Sequence, residues 1–200
     1  MKIFKIILAA SCVFAMNWAS AQPAPPAHPA LVPPSNTPKV QFKTSLGDFT
    51  VALDAKAAPK TVDNFLKYVN DKHYDGTVFH RVIQNFMVQG GGFDKEMKQK
   101  PTRAPVAIES DNGLKNDVGT IAMARTSDPN SATAQFFINV VNNERLNKPS
   151  FDGWGYTVFG KVTEGMDTIE KIRAVAVTDR SAHQNVPTTP VVIESARLIK

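Results

Sequence analysis

The chain has 200 residues, of which 42% are hydrophobic and 20% are charged, and its formal net charge at pH 7 is +5. This composition is that of an ordinary globular protein, and it excludes a coiled coil, a collagen-like repeat and a strongly basic nucleic-acid-binding chain. A chain of this length predicts one domain with short additions, or two small domains.

The first 21 residues have the pattern of a secretory signal peptide. Two lysines precede an apolar run, residues 6–16, that is too short to span a bilayer comfortably, and small residues at positions 19 and 21 precede a cleavage point. We therefore predict a signal peptide over residues 1–21 that is cleaved after Ala21. Because cleavage removes two lysines and no acidic residue, the net charge of the mature chain falls to +3, which gives no indication of nucleic-acid binding.

The single cysteine, Cys12, lies within this segment. The small residues before it allow an alternative interpretation, in which the segment is a lipoprotein signal that ends at Cys12. If cleavage instead follows Ala21, the mature chain contains no cysteine, so disulfides, a thiol nucleophile and a thiolate metal site are excluded. The mature chain is then expected to have no membrane attachment.

Residues 22–38 are rich in proline and predict a linker. Seven of the fourteen prolines fall in the sequence QPAPPAHPALVPPSNTP, and proline at this density favours an extended, semi-rigid spacer over regular structure. A proline-rich docking ligand is the alternative interpretation. The folded domain is then predicted to occupy residues 39–200.

Regular strand and helix patterns begin at Val40. Apolar and polar residues alternate on both sides of the turn signal at residues 46–48, which predicts a β-hairpin. A helix is predicted to open at Pro59, with an apolar stripe that runs from Val62 to Val69. Further strands are predicted at residues 76–83, 86–89, 119–124, 134–140, 155–162 and 190–199, and a second helix at residues 166–172. About eight short strands and two helices favour a barrel or a sandwich.

The sequence FHRVIQNFMVQGG, residues 79–91, places an arginine within a strand-like apolar run. Regular alternation predicts that Phe79, Arg81 and Ile83 share one face, while His80 lies on the other as a hydrogen-bonded core residue or, alternatively, as a general base. An arginine is costly to bury unless its donors are used, so the Arg81 face is expected to reach solvent or to border a site. The glycines at residues 90–92 are expected to end this strand.

A second segment offers a similar combination of an amide and an aromatic ring. In QFFIN, residues 135–139, alternation directs Gln135 and Phe137 to one face, and Phe136 and Ile138 to the other. Core packing with surface amides would explain this segment and the previous one equally well when each is considered by itself.

Other reaction types lack their sequence patterns. The four histidines are scattered, and no HExxH, GxSxG or phosphate-binding GK[ST] sequence occurs. These absences argue against a metal hydrolase, a serine hydrolase and a nucleotide-binding enzyme, and they predict that no metal is bound.

Four stretches resemble the signature sequences of the cyclophilin family of peptidyl-prolyl cis-trans isomerases: FHRVIQNFMVQGG, GTIAMA, QFFINV and VFGKVTEGMD. They occur in the family's order within residues 39–200, and together with the signal peptide they are most similar to the periplasmic cyclophilins of Gram-negative bacteria. The resemblance implies a closed eight-stranded antiparallel β-barrel capped by two α-helices. It also implies a cofactor-free isomerase in the periplasm that acts on proline-containing segments of exported proteins and assists their folding. A monomer is expected, because nothing in the sequence suggests a larger assembly.

The resemblance also implies which residues form the site. Arg81 stands at the position of the catalytic arginine, and Ala124 and Arg125 stand where backbone groups pair with an extended substrate. The implied substrate-binding residues are Phe86, Met87, Gln89, Ala124, Arg125, Gln135, Phe137, Leu146 and Tyr156.

Two positions depart from the family pattern. Arg145 replaces a tryptophan associated with cyclosporin binding, so tight binding of that drug is not expected, and Tyr156 replaces a histidine. A binding module, which holds proline-containing segments as a chaperone or scaffold with turnover only incidental, would use the same pocket. The two interpretations differ in whether Arg81 is needed for function, as opposed to affinity.

Overall fold

The computed structural model describes residues 37–199. The predicted signal peptide and nearly all of the predicted linker lie outside these residues, so the predicted domain boundaries remain predictions. The strands are β1 (Lys39–Thr44), β2 (Gly47–Leu53), β3 (Thr77–Ile83), β4 (Met87–Asp94), β5 (Thr120–Met123), β6 (Phe136–Asn139), β7 (Val158–Glu164), β8 (Val177–Arg180), β9 (His183–Pro187) and β10 (Val192–Ile199). The helices are α1 (Pro59–Asn70) and α2 (Met166–Arg173), with a single 3-10 turn at Glu144–Leu146.

Eight of the strands close into an antiparallel barrel. Their order around the barrel is β1-β10-β3-β4-β6-β5-β7-β2, and every neighbouring pair is antiparallel. This confirms the predicted fold class, a mainly β structure with a closed eight-stranded barrel and two helices. Closure removes the unpaired strand edges that an open sheet of this size would present.

Aromatic side chains fill the barrel. Phe42 and Phe49 stack with ring centroids 4.7 Å apart, and Phe65 from α1 lies 5.0 Å from Phe159 and 6.0 Å from Phe136. All five rings are at most 1% exposed. The predicted apolar stripe of α1 therefore faces this core, and burial of these large rings supplies much of the stabilising free energy.

The glycines at residues 90–92 lie inside β4, so the prediction that they end the strand is wrong. A Cβ on Gly91, whose φ is +84°, would lie 2.8 Å from the Tyr74 ring and 2.9 Å from the Phe136 ring. A Cβ on Gly92 would lie 2.5 Å from the Cγ of Gln135. These glycines therefore allow the neighbouring side chains to approach the strand closely. A run of glycines can have this role as well as that of ending a strand.

A β-bulge at His80 interrupts the alternation of β3. Phe79 lies opposite Gly90 and Arg81 lies opposite Gln89, so His80 has no counterpart on β4. The extra residue turns Phe79 into the barrel core and leaves Arg81 on the outer face. The prediction that Phe79 and Arg81 share a face is therefore wrong.

His80 itself is 4% exposed, and its Nδ1 has no hydrogen-bond partner among the described residues. The prediction of a buried histidine is correct, although this ring nitrogen is not bonded as expected. Burial lowers the pKa of His80 to about 4, so the ring is neutral at physiological pH.

Strands β8 and β9 form a separate two-stranded hairpin that the sequence patterns did not indicate. All four residues of β8 are exposed, so neither face of the strand is buried. Its sequence, VTDR, accordingly lacks the alternation of apolar and polar residues on which a strand prediction depends. The hairpin contacts the barrel through His183, whose ring lies 5.0 Å from Phe93, and Phe93 in turn lies 4.7 Å from His80.

The N-terminus of α1 is capped by a residue distant in sequence. Its N-cap position, Ala58, provides no side-chain hydrogen bond. Instead, Glu109 accepts hydrogen bonds from the backbone N–H groups of Lys60 at 3.1 Å and Thr61 at 2.9 Å. A carboxylate at this end also interacts favourably with the helix dipole.

We expect Glu109→Ala to lower the free energy of unfolding by about 1–2 kcal/mol, because the helix loses both its cap and a favourable charge. Urea titration of the wild type and the variant measures the difference. Glu194→Ala, which removes an exposed glutamate from β10, is the matched control and should change stability by less than about 0.5 kcal/mol. Equal losses in the two variants would contradict the capping role.

Candidate active site

A second apolar cluster lies outside the barrel core. Neighbouring strands β4, β6, β5 and β7 contribute Met87, Phe137, Ala122 and Val158, and the 3-10 turn adds Leu146. On β6, Phe136 and Ile138 face the core while Phe137 faces this cluster, as the alternation predicts. The outer face of four barrel strands therefore forms an apolar floor.

A pocket opens above this floor, with a volume of about 390 Å³ when the adjoining space open to solvent is included. Nine of the ten sequence-predicted site residues line it: Arg81, Phe86, Met87, Gln89, Ala124, Arg125, Phe137, Leu146 and Tyr156. The tenth, Gln135, is hydrogen-bonded to one of them instead. Residues separated by up to 75 positions in the sequence thus meet at one place, which is the arrangement expected of a binding site.

Two glutamines connect to the Arg81 guanidinium. Arg81 Nη1 donates a long hydrogen bond of 3.4 Å to Gln89 Oε1, and Gln89 Nε2 donates to Gln135 Oε1 at 3.0 Å. None of the ion pairs found within residues 37–199 includes Arg81. Arg81 is half-buried, and Gln89 orients its guanidinium, while most of the five N–H donors remain available to a ligand.

The floor of the pocket is closely packed. Met87, Phe137 and Leu146 are 2%, 4% and 7% exposed. The Phe137 ring meets the Tyr156 ring edge to face, with centroids 5.7 Å apart. A small apolar ring placed above this floor would contact fixed side chains, and Arg81 would lie at its side.

Buried asparagines, which were not among the site residues predicted from the sequence, hold two parts of the pocket in place. Asn143 Nδ2 donates to the carbonyl oxygen of Phe86 at 2.8 Å and to Asn139 Oδ1 at 2.7 Å. Asn139 donates to Asn116 Oδ1 at 3.2 Å, and the Asn116 N–H donates to Asn147 Oδ1 at 2.7 Å. The polar Asn139 at the end of the apolar run QFFIN was the sequence signal that could have indicated this network.

The side chain of Arg125 is committed to internal contacts. Only 3% exposed, it pairs with Asp152, and its Nη2 donates to the carbonyl oxygen of Gly155 at 2.8 Å. Its guanidinium carbon lies 4.4 Å from the centroid of the Tyr156 ring, a cation–π contact. Arg125 therefore supports Tyr156, while any contact of Arg125 with substrate must come from its backbone. The predicted backbone pairing by Ala124 and Arg125 stays a prediction, and the Ala124 N–H already donates to Gln135 O at 3.0 Å.

The Arg125–Asp152 pair predicts a loss of stability in acid. The hydrogen bond from Arg125 lowers the pKa of Asp152 to about 2. Because this folded-state pKa lies below the unfolded value of about 4, the pair stabilises the protein above pH ~4, and that contribution is lost as the pH falls toward ~2. We expect Asp152→Asn to lower the free energy of unfolding by about 2–3 kcal/mol at neutral pH, since a buried guanidinium loses its charged partner.

Urea titrations at several pH values measure this effect. The difference between wild type and Asp152→Asn should shrink as the pH is lowered from 4 to 2. Asp63→Asn is the matched control, because it removes an exposed ion pair with Lys67 and should cost less than about 1 kcal/mol. A difference that does not depend on pH would contradict the assigned role of the pair.

Two further features of residues 37–199 concern membranes and metals. None of their helices is long and apolar enough to cross a membrane. No group of three or more His, Cys, Asp or Glu side chains in this part of the chain is arranged to hold a metal ion.

Comparison with known proteins gives a consistent result. Residues 39–198 match the family described as cyclophilin type peptidyl-prolyl cis-trans isomerase. A peptidyl-prolyl cis-trans isomerase of Streptomyces antibioticus is 57% identical over 162 residues, which is 80% of this chain and 98% of the relative. Peptidyl-prolyl cis-trans isomerase B of Escherichia coli is 53% identical over 158 residues, which is 78% of this chain and 96% of the relative.

Solved structures agree with the sequence relatives. A crystal structure of a Cryptosporidium parvum cyclophilin type peptidyl-prolyl cis-trans isomerase has a TM-score of 0.68 and 25% identity, covering 82% of this chain and 98% of that one. A second structure of that enzyme, obtained in the presence of the dipeptide Ala-Pro, has a TM-score of 0.67 and 26% identity, covering 81% of this chain and 99% of that one. The chain therefore belongs to the cyclophilin family of peptidyl-prolyl cis-trans isomerases, enzymes that need no cofactor.

Proposed function

We propose that this isomerase accelerates the cis-trans isomerisation of Xaa-Pro bonds in exported proteins while they fold, and that the bond is bound in the pocket beside Arg81. The observation that carries the proposal is the position of the Arg81 guanidinium. It borders an apolar pocket, is oriented by Gln89 and has no carboxylate partner among the described residues. A structure of the C. parvum relative was obtained in the presence of the dipeptide Ala-Pro, which supports the choice of a proline-containing ligand.

The chemistry of the reaction explains why these residue types are suitable. Rotation about the Xaa-Pro bond breaks its partial double-bond character, with a barrier of about 18–20 kcal/mol, so the uncatalysed step takes tens of seconds or more. No covalent bond is made or broken. An enzyme therefore needs only to bind the twisted amide more tightly than either planar form.

Arg81 is the proposed catalytic residue. When the amide twists, the lone pair localises on the prolyl nitrogen, which then accepts a hydrogen bond. The guanidinium stays protonated and presents a rigid set of donors to that nitrogen or to the neighbouring carbonyl oxygen. Its donors stabilise the twisted state more than the planar ones, which is the condition for catalysis.

The other pocket residues hold the substrate and the arginine. Phe86, Met87, Phe137 and Leu146 grip the pyrrolidine ring while the preceding carbonyl rotates. Gln89, supported by Gln135, orients Arg81. In this arrangement Ala124 and Arg125 pair with the extended substrate through their backbone groups, and Tyr156 closes the pocket beside Phe137.

Two assays test the enzymatic part. A protease-coupled assay follows the isomerisation of a short Xaa-Pro peptide, and refolding of a protein with a slow proline-limited phase tests a folding substrate. The isomerase should accelerate both. Binding of the peptide without acceleration would favour the binding-module alternative over the proposed function.

The cellular part of the proposal rests on the sequence pattern of residues 1–21. We place the protein in the periplasm as a monomer that begins at Gln22 after cleavage. Mass spectrometry of the protein isolated from the periplasmic fraction tests this directly. A mass that begins at Gln22 is expected, whereas a lipid-modified chain that begins at Cys12, or an uncleaved chain in the cytoplasm, would contradict it.

A further inference from the structure

The loop between Leu146 and Tyr156 exposes two large aromatic side chains. Phe151 is 78% exposed and Trp154 is 46% exposed. Within residues 37–199, every other Phe, Tyr or Trp side chain is buried or half-buried. Contact of two such side chains with water within four residues costs free energy unless a partner covers them. The pair is therefore a candidate binding surface.

The loop is held in a defined shape. The Tyr156 N–H donates to Leu146 O at 3.0 Å, which joins the two ends of the loop. Asp152, placed between the two aromatic residues, is bound by the buried Arg125 guanidinium and accepts a hydrogen bond from the Trp154 N–H at 3.0 Å. The hydroxyl of Ser110 also donates to the carbonyl oxygen of Trp154. The backbone of Trp154 and the side chain of Asp152, the residue that follows Phe151, are therefore held in place relative to the pocket.

The loop is continuous with the pocket. Both of its flanking residues, Leu146 and Tyr156, line the pocket, and so does its anchor, Arg125. An extended peptide advances about 3.3–3.6 Å per residue, so the residues on either side of a bound proline must pass over the border of the pocket. The exposed aromatic pair belongs to the segment that forms part of that border.

We propose that Phe151 and Trp154 form an aromatic rim that binds an apolar side chain flanking the substrate proline. This inference rests on the proposed function, since it requires the proline to occupy the pocket beside Arg81. The rim gives the enzyme a substrate class: prolines next to large apolar residues, which are accessible in unfolded chains and covered in folded ones. Prolines in polar surface loops are then poorer substrates.

Peptide substrates test the rim without altering any residue that lines the pocket. Two peptides share the same Xaa-Pro bond, and their outer residues are leucine and phenylalanine in one and serine and asparagine in the other. For Phe151→Ala/Trp154→Ala, kcat/KM should fall about fivefold to tenfold on the apolar peptide and stay within about twofold on the polar peptide. Leu198→Ala, which removes a 50% exposed apolar side chain from β10, is the matched control and should leave both values unchanged.

Trp154 also reports binding directly. The chain contains two tryptophans, Trp18 and Trp154, and Trp18 lies in the segment that is proposed to be cleaved, so Trp154 is the only tryptophan of a chain that begins at Gln22. Its fluorescence should shift to shorter wavelength on titration with the apolar peptide and remain unchanged with the polar peptide. This measurement requires no change to the loop, so it stays informative even if the double variant folds poorly.

The outcomes separate the two proposals. Equal losses on both peptides, or no loss on either, would overturn the rim. A wild-type enzyme that accelerates neither peptide would overturn the proposed function, and the rim with it. Sedimentation that shows a dimer of the wild type, dissociated by the double variant, would assign the aromatic pair to self-association and would also overturn the rim.

Discussion

Arg81→Ala is expected to lower kcat/KM for an Xaa-Pro peptide by about a hundredfold, because a charge-assisted hydrogen bond in a water-poor site contributes about 3 kcal/mol to transition-state binding. Most of the loss should fall on kcat, since the guanidinium acts on the twisted amide and not on the planar one. The protease-coupled assay at several peptide concentrations separates kcat from KM. Stability should change little, because Arg81 is half-buried and its side chain forms only one long hydrogen bond within the described residues.

Two further variants define what the arginine provides. Arg81→Lys keeps the charge but loses the planar set of donors, so it should recover only part of the activity. Arg180→Ala removes an exposed arginine from β8 and should keep kcat/KM within about twofold of wild type. Full activity in Arg81→Ala would remove Arg81 from the catalytic role, while unchanged peptide affinity with lost turnover would support it over the binding-module alternative.

The resemblance of four short stretches to a known family predicted the barrel and the residues of the site. The faces on which the β6 side chains lie could be predicted without that resemblance. Alternation alone places Phe136 and Ile138 inside and Phe137 outside, because successive side chains of a regular strand point to opposite faces. The same alternation places Gln135, one position before the strand, on the face of Phe137, while its hydrogen bond with Gln89 depends on the pairing of β6 with β4.

The same rule fails on β3 for a physical reason. The bulge at His80 depends on the pairing with β4, where the glycines at residues 90–92 allow rings and the Gln135 side chain to approach. A register between two strands is not visible in either strand alone. Regular alternation therefore predicted that Phe79 and Arg81 share a face, which is wrong. The expectation that the face of Arg81 borders a site does not depend on Phe79.

Long-range polar contacts were also beyond the sequence patterns. Arg125 and Asp152 are separated by 27 positions, and Asn116 and Asn143 by 27. No local periodicity indicates that such residues meet, because their partners are determined by the closed barrel and its connecting loops. These contacts shape the pocket by supporting Tyr156 and Phe86, so the supporting residues were missed while the lining residues were identified.

Alanine substitutions of Phe136 and Phe137 are expected to have different effects, because the two residues are adjacent on β6 but belong to different apolar clusters. Phe137→Ala removes the centre of the pocket floor and should lower kcat/KM by about tenfold to thirtyfold, because the proline ring loses an apolar contact. Phe136→Ala empties a fully buried position in the barrel and should lower the free energy of unfolding by about 3–5 kcal/mol. Its activity per folded molecule should stay within about twofold of wild type, since Phe136 does not line the pocket.

Both phenylalanines are buried, so both alanine variants lose stability, and the activity per folded molecule is the quantity that separates them. Urea titration gives the folded fraction, and the peptide assay at low temperature gives the activity of that fraction. Phe136→Leu, a smaller change, replaces Phe136→Ala if the latter does not fold. Equal activity losses per folded molecule in the two variants would mean that catalysis depends on the barrel as a whole, and the pocket floor would lose its separate role in holding the proline ring.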